Sequence, residues 1–443
     1  MSARTARLAA VVAVLVALAV VGVLVLGGDG AEEAPRTVKR AAAKPLNDPA
    51  CSPVSYAGDG RPSALVVMST LLQGAFADHG IQAVQAIKLV VARHGWHAGS
   101  HAVGIQVCDE VPYGSDESDP RKCRRTARAV AANPAVLGVI GPWSSSCAAM
   151  VSVLNRAEPP VVVVSPSATY VGLTRRGAGV APGDPDRFAP TGQRSFVRVV
   201  PADDVQAATA VEYARRHGAR RLFVLDDRGL YGKGLAGGIR ESARRARLPV
   251  VGSAGWQPTA RRLLDAAARV RRTGADAVYL AGYVSEDNAR LIADLRRELG
   301  PELLILAPDG FAAPGLLVRE VGKAAEGLVY TIATLPRRAL PPGGRRFAED
   351  FRQRFGAAPC CFAVQAAQAA EVLLAAIGRS DGTRRGVMQA VLESDVKDGE
   401  LGDFRFDAAG DTTRNTMGVF EIRAGRSHFI AAMEPPRELL PRD

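Results

Sequence analysis

Val161-Val162-Val163-Val164-Ser165 sets four β-branched residues in a row with no polar residue at alternate positions. A strand with one wet face alternates; one without is buried on both sides, as in a parallel sheet covered by helices. Working outward, similar short apolar runs lie at 64–69, 103–108 and 136–141, separated by helical patterns at 81–94, 119–133 and 145–158. A second set of runs follows at 222–225, 249–253, 277–281 and 303–307, with helices at 203–218, 233–246, 259–273 and 286–299. Strand and helix alternating in this order predict an α/β fold with a doubly wound parallel sheet, made twice. Beyond 327–332 the pattern becomes helical at 345–355, 361–377 and 383–392, then ends in short strands at 403–406, 418–423 and 428–432. That tail holds too little strand for a third sheet and is expected to return and complete both halves.

At 443 residues the chain exceeds one hydrophobic core, and 47% hydrophobic with 23% charged residues is a globular composition. The net charge of +11 comes from 49 Arg and 7 Lys, many of the Arg in doublets such as Arg215-Arg216 and Arg244-Arg245. These doublets fall in helical patterns beside Ala and Leu, which reads as solvated helix faces. No basic stripe is interleaved with aromatics, so nucleic acid is not an expected partner.

Arg4 and Arg7 precede 8–26, nineteen residues that are apolar or Gly. As a helix this run is about 28 Å long, close to the roughly 30 Å of a bilayer core. The Arg pair on one flank and Asp29, Glu32 and Glu33 on the other place everything after residue 27 outside the cytoplasm. Residues 1–26 are therefore a signal peptide or a signal anchor, and the protein is held at the outer face of the cell membrane or released after cleavage. Residues 27–50, with four charges of each sign, read as a flexible tether. The domains predicted beyond it are an N-terminal lobe of 51–198 plus 333–405 and a C-terminal lobe of 199–332 plus 406–434.

Open α/β sheets bind ligands at the carboxyl ends of their strands, so residues just after each strand are the candidates. After 136–141 come Gly141-Pro142-Trp143-Ser144-Ser145-Ser146-Cys147, whose N–H groups and hydroxyls suit a carboxylate, or simply cap a helix. After 161–165 come Ser167 and Thr169, at alternate positions. Gly232, Gly234 and Gly237 fit G-x-G-x-x-G, but six residues separate them from the strand ending at Leu225, which excludes a dinucleotide fingerprint. Tyr283 follows 277–281, and Asp309 in Pro308-Asp309-Gly310 follows 303–307. An acid facing hydroxyls across a cleft suits a zwitterion; the same Asp is also an ordinary turn residue.

Seven stretches in order resemble the type I periplasmic binding proteins, specifically the leucine/isoleucine/valine-binding family of ABC transporter substrate-binding proteins. They are VLGVIGPWSSS (136–146), VSPSATYVGLT (164–174), FVRVVPADDVQ (196–206), LYGKGLA (230–236), AVYLAGY (277–283), KAAEGLVYT (323–331) and FDAAGDT (406–412). The resemblance implies that Ser145, Ser167 and Thr169 hold a ligand's carboxylate and part of its ammonium. It further implies that Tyr231 and Tyr283 line the far lobe and that Asp309 neutralises the ammonium. Three departures bear on ligand identity: Asp309 where the branched-chain binders carry Glu, Ser167 in place of a small apolar residue, and a longer Gly/Pro-rich loop at 175–194. The resemblance also implies a Cys123–Cys147 bridge, since both lie near positions bridged in the branched-chain binders.

Six Cys in an exported chain suggest disulfides. Cys51 and Cys108 are candidates for a second pair, while the adjacent Cys360 and Cys361 cannot bridge each other without strain. His94, His97 and His101 have metal-like spacing but no Cys or carboxylate neighbour, and read as an exposed loop, so no metal or cofactor is predicted. No H-E-x-x-H, G-x-S-x-G or P-loop is present, which points away from an enzyme. The expected function is an extracytoplasmic solute-binding protein of an ABC importer, binding an amino acid or similar zwitterion and meeting permease subunits. The alternative is a membrane-tethered ligand sensor acting through a partner protein.

Overall fold

The computed structural model describes residues 42–440 apart from Pro258. Strands β1 (Ala64–Thr70), β2 (His97–Ala98), β3 (His101–Asp109), β4 (Val136–Ile140), β5 (Val162–Ser165) and β6 (Phe196–Arg198) form one sheet in the order β2-β3-β1-β4-β5-β6. All its pairings are parallel except the short β2–β3 hairpin. Every residue of β1, β4 and β5 is buried, as continuous apolar runs require. Helices Ala77–Arg93 and Ala363–Arg379 pack together on one face, placing Ile87, Val90 and Leu373 in the core. Helices Pro120–Ala132 and Ala149–Asn155 cover the other through Ala127, Val130, Val151 and Leu154. Leu373 is fully buried, and truncating such a side chain to Ala costs about 2–5 kcal/mol.

The second sheet contains β7 (Leu222–Asp226), β8 (Val250–Gly255), β9 (Ala277–Ala281), β10 (Leu304–Ala307) and β11 (Leu328–Ile332). β12 (Asp395–Gly399) and β13 (Gly402–Arg405) pair only with each other, while β14 (Met417–Arg423) and β15 (Arg426–Met433) join the second sheet. Its order is β15-β14-β11-β10-β9-β7-β8, parallel from β8 to β11 and antiparallel at β14 and β15. The chain crosses from one sheet to the other after β6 and returns after β11, so two lobes flank a cleft. Arginine doublets sit on helix exteriors and pair with an acid one turn earlier: Arg215 and Arg216 with Glu212, Arg244 and Arg245 with Glu241.

Three local expectations are corrected. The tether expected over 27–50 does not extend to residue 50 in the described part, because residues 42–50 pack on the first lobe. Leu46 is buried and its N–H donates to Gln106 Oε1 (2.8 Å), while buried Asp48 accepts from Thr126 Oγ1 (2.6 Å) and Arg125 Nε (3.2 Å). A buried Gln in β3 and an Asp beside it need such partners, and the segment supplies them. The helix expected over 145–158 begins as a 3-10 turn, Ser145–Cys147, capped by the Ser144 side chain, before the helix Ala149–Asn155. The strand expected at 403–406 extends neither sheet and makes the β12–β13 hairpin instead. The three-residue β6 and the helix Pro314–Val321 were not among the expected elements. Residues 8–26 lie outside the described residues; among those described, no helix is long and apolar enough to cross a membrane.

Candidate functional site

The loop after β4 owes its shape to Gly141, which has φ +142; a Cβ there would stand 2.8 Å from the Ser69 carbonyl oxygen. Beneath the loop lies Glu110, a buried acid just past β3. It accepts hydrogen bonds from the Trp143 N–H (2.7 Å), the Ser144 N–H (3.1 Å), Ser69 Oγ (2.8 Å) and Ser118 Oγ (3.3 Å). Burial raises its pKa, and the four donors pull the other way. Sequence reading missed Glu110 because its partners come from three separate segments, at Ser69, Ser118 and Trp143-Ser144.

This support positions the predicted hydroxyls. Ser145, 1% exposed, accepts from the Tyr170 N–H (3.3 Å), which leaves its own O–H to donate. Ser167 donates to the Trp143 carbonyl (2.9 Å), so its O–H is committed to tying the β4 and β5 loops together and its lone pairs remain. Thr169 is buried, and its carbonyl accepts from the Asp203 N–H (2.9 Å). Arg198, 0% exposed, holds this segment from behind by donating to the Ala168 and Tyr170 carbonyls and Thr174 Oγ1. Its charge is balanced by Asp411 (2.7 Å), which also accepts from Arg175 (2.7 Å). The two guanidinium groups hold the Asp411 carboxyl below the usual range despite its burial.

The far wall comes from the second sheet. Tyr231, in the first turn of the helix Leu230–Arg245, donates to Asp309 Oδ1. The Tyr231 and Tyr283 rings lie 4.7 Å apart, and Tyr283 meets Phe76 of the first lobe edge-on at 6.4 Å. Asp227, past β7, accepts from the Gly229 N–H (2.8 Å) and Tyr283 N–H (3.1 Å), joining the two loops; burial raises it to about 6. Asp309 is half-buried in its loop position and begins a 3-10 turn after β10, so the turn role and the site role coincide.

Of the six residues singled out from sequence, Tyr231, Tyr283 and Asp309 are brought together at the strand ends of the second sheet, while Ser145, Ser167 and Thr169 lie on the loops after β4 and β5 of the first. A seventh belongs with them. Asp203 begins the helix Asp203–Arg216, is 1% exposed, and neither of its carboxylate oxygens has a hydrogen-bond partner. Burial and then the Asp309 charge push its pKa well up, and the nearby Thr169 hydroxyl opposes without making a hydrogen bond of ordinary geometry to either oxygen. Asp309 is raised in turn by burial, and Tyr231, Tyr279 and Tyr283 are all raised by burial and by these two acids. The Tyr279 hydroxyl is also buried without a partner. Arg198 lowers Asp203 only as a lesser influence, its own hydrogen bonds going to Asp411 and the loop. Two acids, three phenols and open acceptors form a site that a cationic group would complete. The sequence signal for Asp203 was FVRVVPADDVQ, where an acid in a helix's first turn reads as an ordinary dipole partner.

The loop at 175–194 reaches the second lobe. Gly179 lies so close to the helix Leu230–Arg245 that a Cβ on Gly237 would be 2.3 Å from its Cα. Cys123 pairs with Cys147 beside the β4 loop and Cys51 with Cys108, with Cα separations of 5.7 and 3.9 Å. The three histidines do not converge: His94 pairs with Glu371 (2.7 Å), the His97 ring bonds the Gly95 carbonyl, and His101 starts β3.

Residues 66–427 match a family model described as periplasmic binding protein. The chain is 26% identical over 292 residues (65% of this chain, 73% of the relative) to a Leu/Ile/Val-binding protein of Rhizobium johnstonii. It is 25% identical over 351 residues (78% of this chain, 86% of the relative) to a leucine-specific-binding protein of Salmonella typhimurium. The crystal structure of a leucine-binding protein from Thermotoga maritima shares the fold with a TM-score of 0.70 at 22% identity, covering 84% of this chain and 99% of that one.

Proposed function

The chain belongs to the periplasmic binding protein family, and from that premise we propose that it captures an α-amino acid or closely similar zwitterion between its lobes for an ABC importer. It is a solute-binding protein and not an enzyme. The observation that carries the ligand class is Asp203, a buried carboxylate with two unpartnered oxygens beside Asp309. Desolvated charge without a counter-ion is costly, and an ammonium group brings the missing charge and donors. The relatives named for leucine and for Leu/Ile/Val binding support an amino-acid ligand.

In this reading the ligand's carboxylate receives the Ser145 O–H and the Ser145 N–H, the Ser146 and Cys147 N–H groups being held by Ser144. Its ammonium donates to Asp203, Asp309 and the Ser167 oxygen, with Thr169 beside it. Tyr231 orients Asp309, and Tyr283 closes the far side. The lobes are assigned as 51–198 with 333–405 and 199–332 with 406–434, hinged at the crossovers, and the closed form is what a permease recognises. Residues 8–26 are assigned as the segment that directs export, with mass spectrometry of the mature N-terminus distinguishing a retained anchor from a cleaved signal.

A thermal-shift panel of amino acids tests the proposal. Ligand at a thousandfold over Kd stabilises the folded protein by about 4 kcal/mol. Stabilisation by a small set of amino acids is expected; no shift with any of them would overturn it.

A further inference from the structure

Cys360 and Cys361 are adjacent, half-buried and unpaired with any other cysteine. They begin the turn Cys360-Cys361-Phe362-Ala363, closed by the Ala363 N–H on the Cys360 carbonyl (2.9 Å). Both central residues are left-handed, Cys361 at φ 49 and Phe362 at φ 72, where such turns ordinarily use Asn or Gly. Two side chains pin the turn: Gln82 Oε1 accepts from the Cys360 N–H (2.8 Å), and Thr334 Oγ1 from the Phe362 N–H (3.1 Å). Gln82 comes from the helix Ala77–Arg93 and Thr334 from just after β11, so the pair sits where the chain returns to the first lobe. The Phe362 ring meets Trp143 edge-on at 5.8 Å, and Trp143 is the residue whose carbonyl holds Ser167. The dithiol is thus one residue from a side chain packed on the candidate site's loop.

We propose that Cys360 and Cys361 are a redox modification site that closes to a vicinal disulfide by exchange with a small-molecule or protein disulfide. The other four cysteines are already paired in this structure, so the chain's folding environment supplies such an oxidant. The interaction between the two thiols lowers the Cys360 pKa and, with burial, raises that of Cys361. Cys360, at the start of the turn that leads into the helix Ala363–Arg379, is assigned as the attacking thiolate. It bonds to one sulfur of the external disulfide, whose second sulfur leaves as a thiolate and takes up the Cys360 proton. Cys361 then loses its proton and attacks the Cys360 sulfur, expelling the other external thiolate, which receives that proton. Two protein thiols are oxidised and one external disulfide is reduced to two thiols. The eight-membered ring is strained, so it reopens under milder reduction than the other two bridges.

The full chain, folded in oxidised glutathione, is stepped through a glutathione redox series, blocked with iodoacetamide and digested for mass spectrometry. In the oxidised samples the peptide carrying both residues should be lighter than its dithiol form by two hydrogens and unalkylated. It should gain two adducts before any appears on Cys51, Cys108, Cys123 or Cys147. Two adducts on that peptide in the most oxidised sample, or a link from either residue to a second chain, would overturn the proposal. In Cys361→Ser the second step is blocked, so a glutathione adduct should accumulate on Cys360; an unmodified Cys360 would contradict its assigned role.

Discussion

The Asp203 N–H donates to the Thr169 carbonyl at 2.9 Å, which fixes a buried carboxylate with two unpartnered oxygens beside a buried threonine that follows the neighbouring strand β5. The arrangement is unfavourable for the empty protein and favourable once a cation enters. That trade predicts opposite effects on stability and binding.

Asp203→Asn should stabilise the ligand-free protein at pH 7 by about 1–3 kcal/mol, since it removes a desolvated charge, and should weaken amine binding by about 2–5 kcal/mol. The pH dependence follows from the raised pKa. An acid whose folded pKa lies above its unfolded value contributes stability that is fully present below the unfolded pKa and lost as pH rises through the folded pKa. The melting temperature of the variant should therefore exceed that of the wild type at neutral pH, with the gap closing toward pH 4. A gap independent of pH would contradict the role given to Asp203.

Tyr231→Phe keeps the ring against Tyr283 and deletes the donor to Asp309. An acceptor left unsatisfied costs about 1–3 kcal/mol, so titration calorimetry should show roughly a tenfold or greater rise in Kd. Unchanged affinity would mean that Asp309 does not depend on Tyr231 for its placement.

Much of this was legible in the sequence for a definite reason. Fully buried strands such as β1 and β5 must be apolar throughout, so they announce themselves, and the residues after them are then the cleft. Ser145 and Thr169 were singled out by their place after a strand, whereas Asp309 read equally as a turn residue and entered the candidate site through the family resemblance. Asp203 was not, because an acid at a helix start has an ordinary explanation and only its lack of partners sets it apart. Glu110, Arg198 and Asp411 were hidden for another reason: their meaning lies in contacts between distant residues, such as Arg198 and Asp411, 213 positions apart. The packing of Leu46 and Asp48 on the first lobe was hidden likewise, since a polar, Pro-containing stretch carries no periodicity.

Asp411→Asn leaves the fully buried Arg198 without a counter-charge. Breaking one side of a buried pair costs about 3–5 kcal/mol, so the urea midpoint should fall sharply. A shift within error would show that Arg198 is neutralised elsewhere.

Gly237→Val places a side chain where the Gly179 backbone lies. Overpacking of this kind costs about 1–3 kcal/mol, here paid by the contact that joins the 175–194 loop to the second lobe. Ligand affinity should fall about tenfold in calorimetry, while small-angle scattering should register a more open molecule. Wild-type affinity would mean that the loop does not contribute to closure.

The most direct test of the central claim is native mass spectrometry of the folded protein with each α-amino acid and, separately, with the carboxylic acid that differs from it only in lacking the amine. The account predicts that at least one amino acid forms a one-to-one complex and that its deaminated counterpart does not. Equal binding of the two would contradict the assignment of Asp203 and Asp309 to an ammonium group.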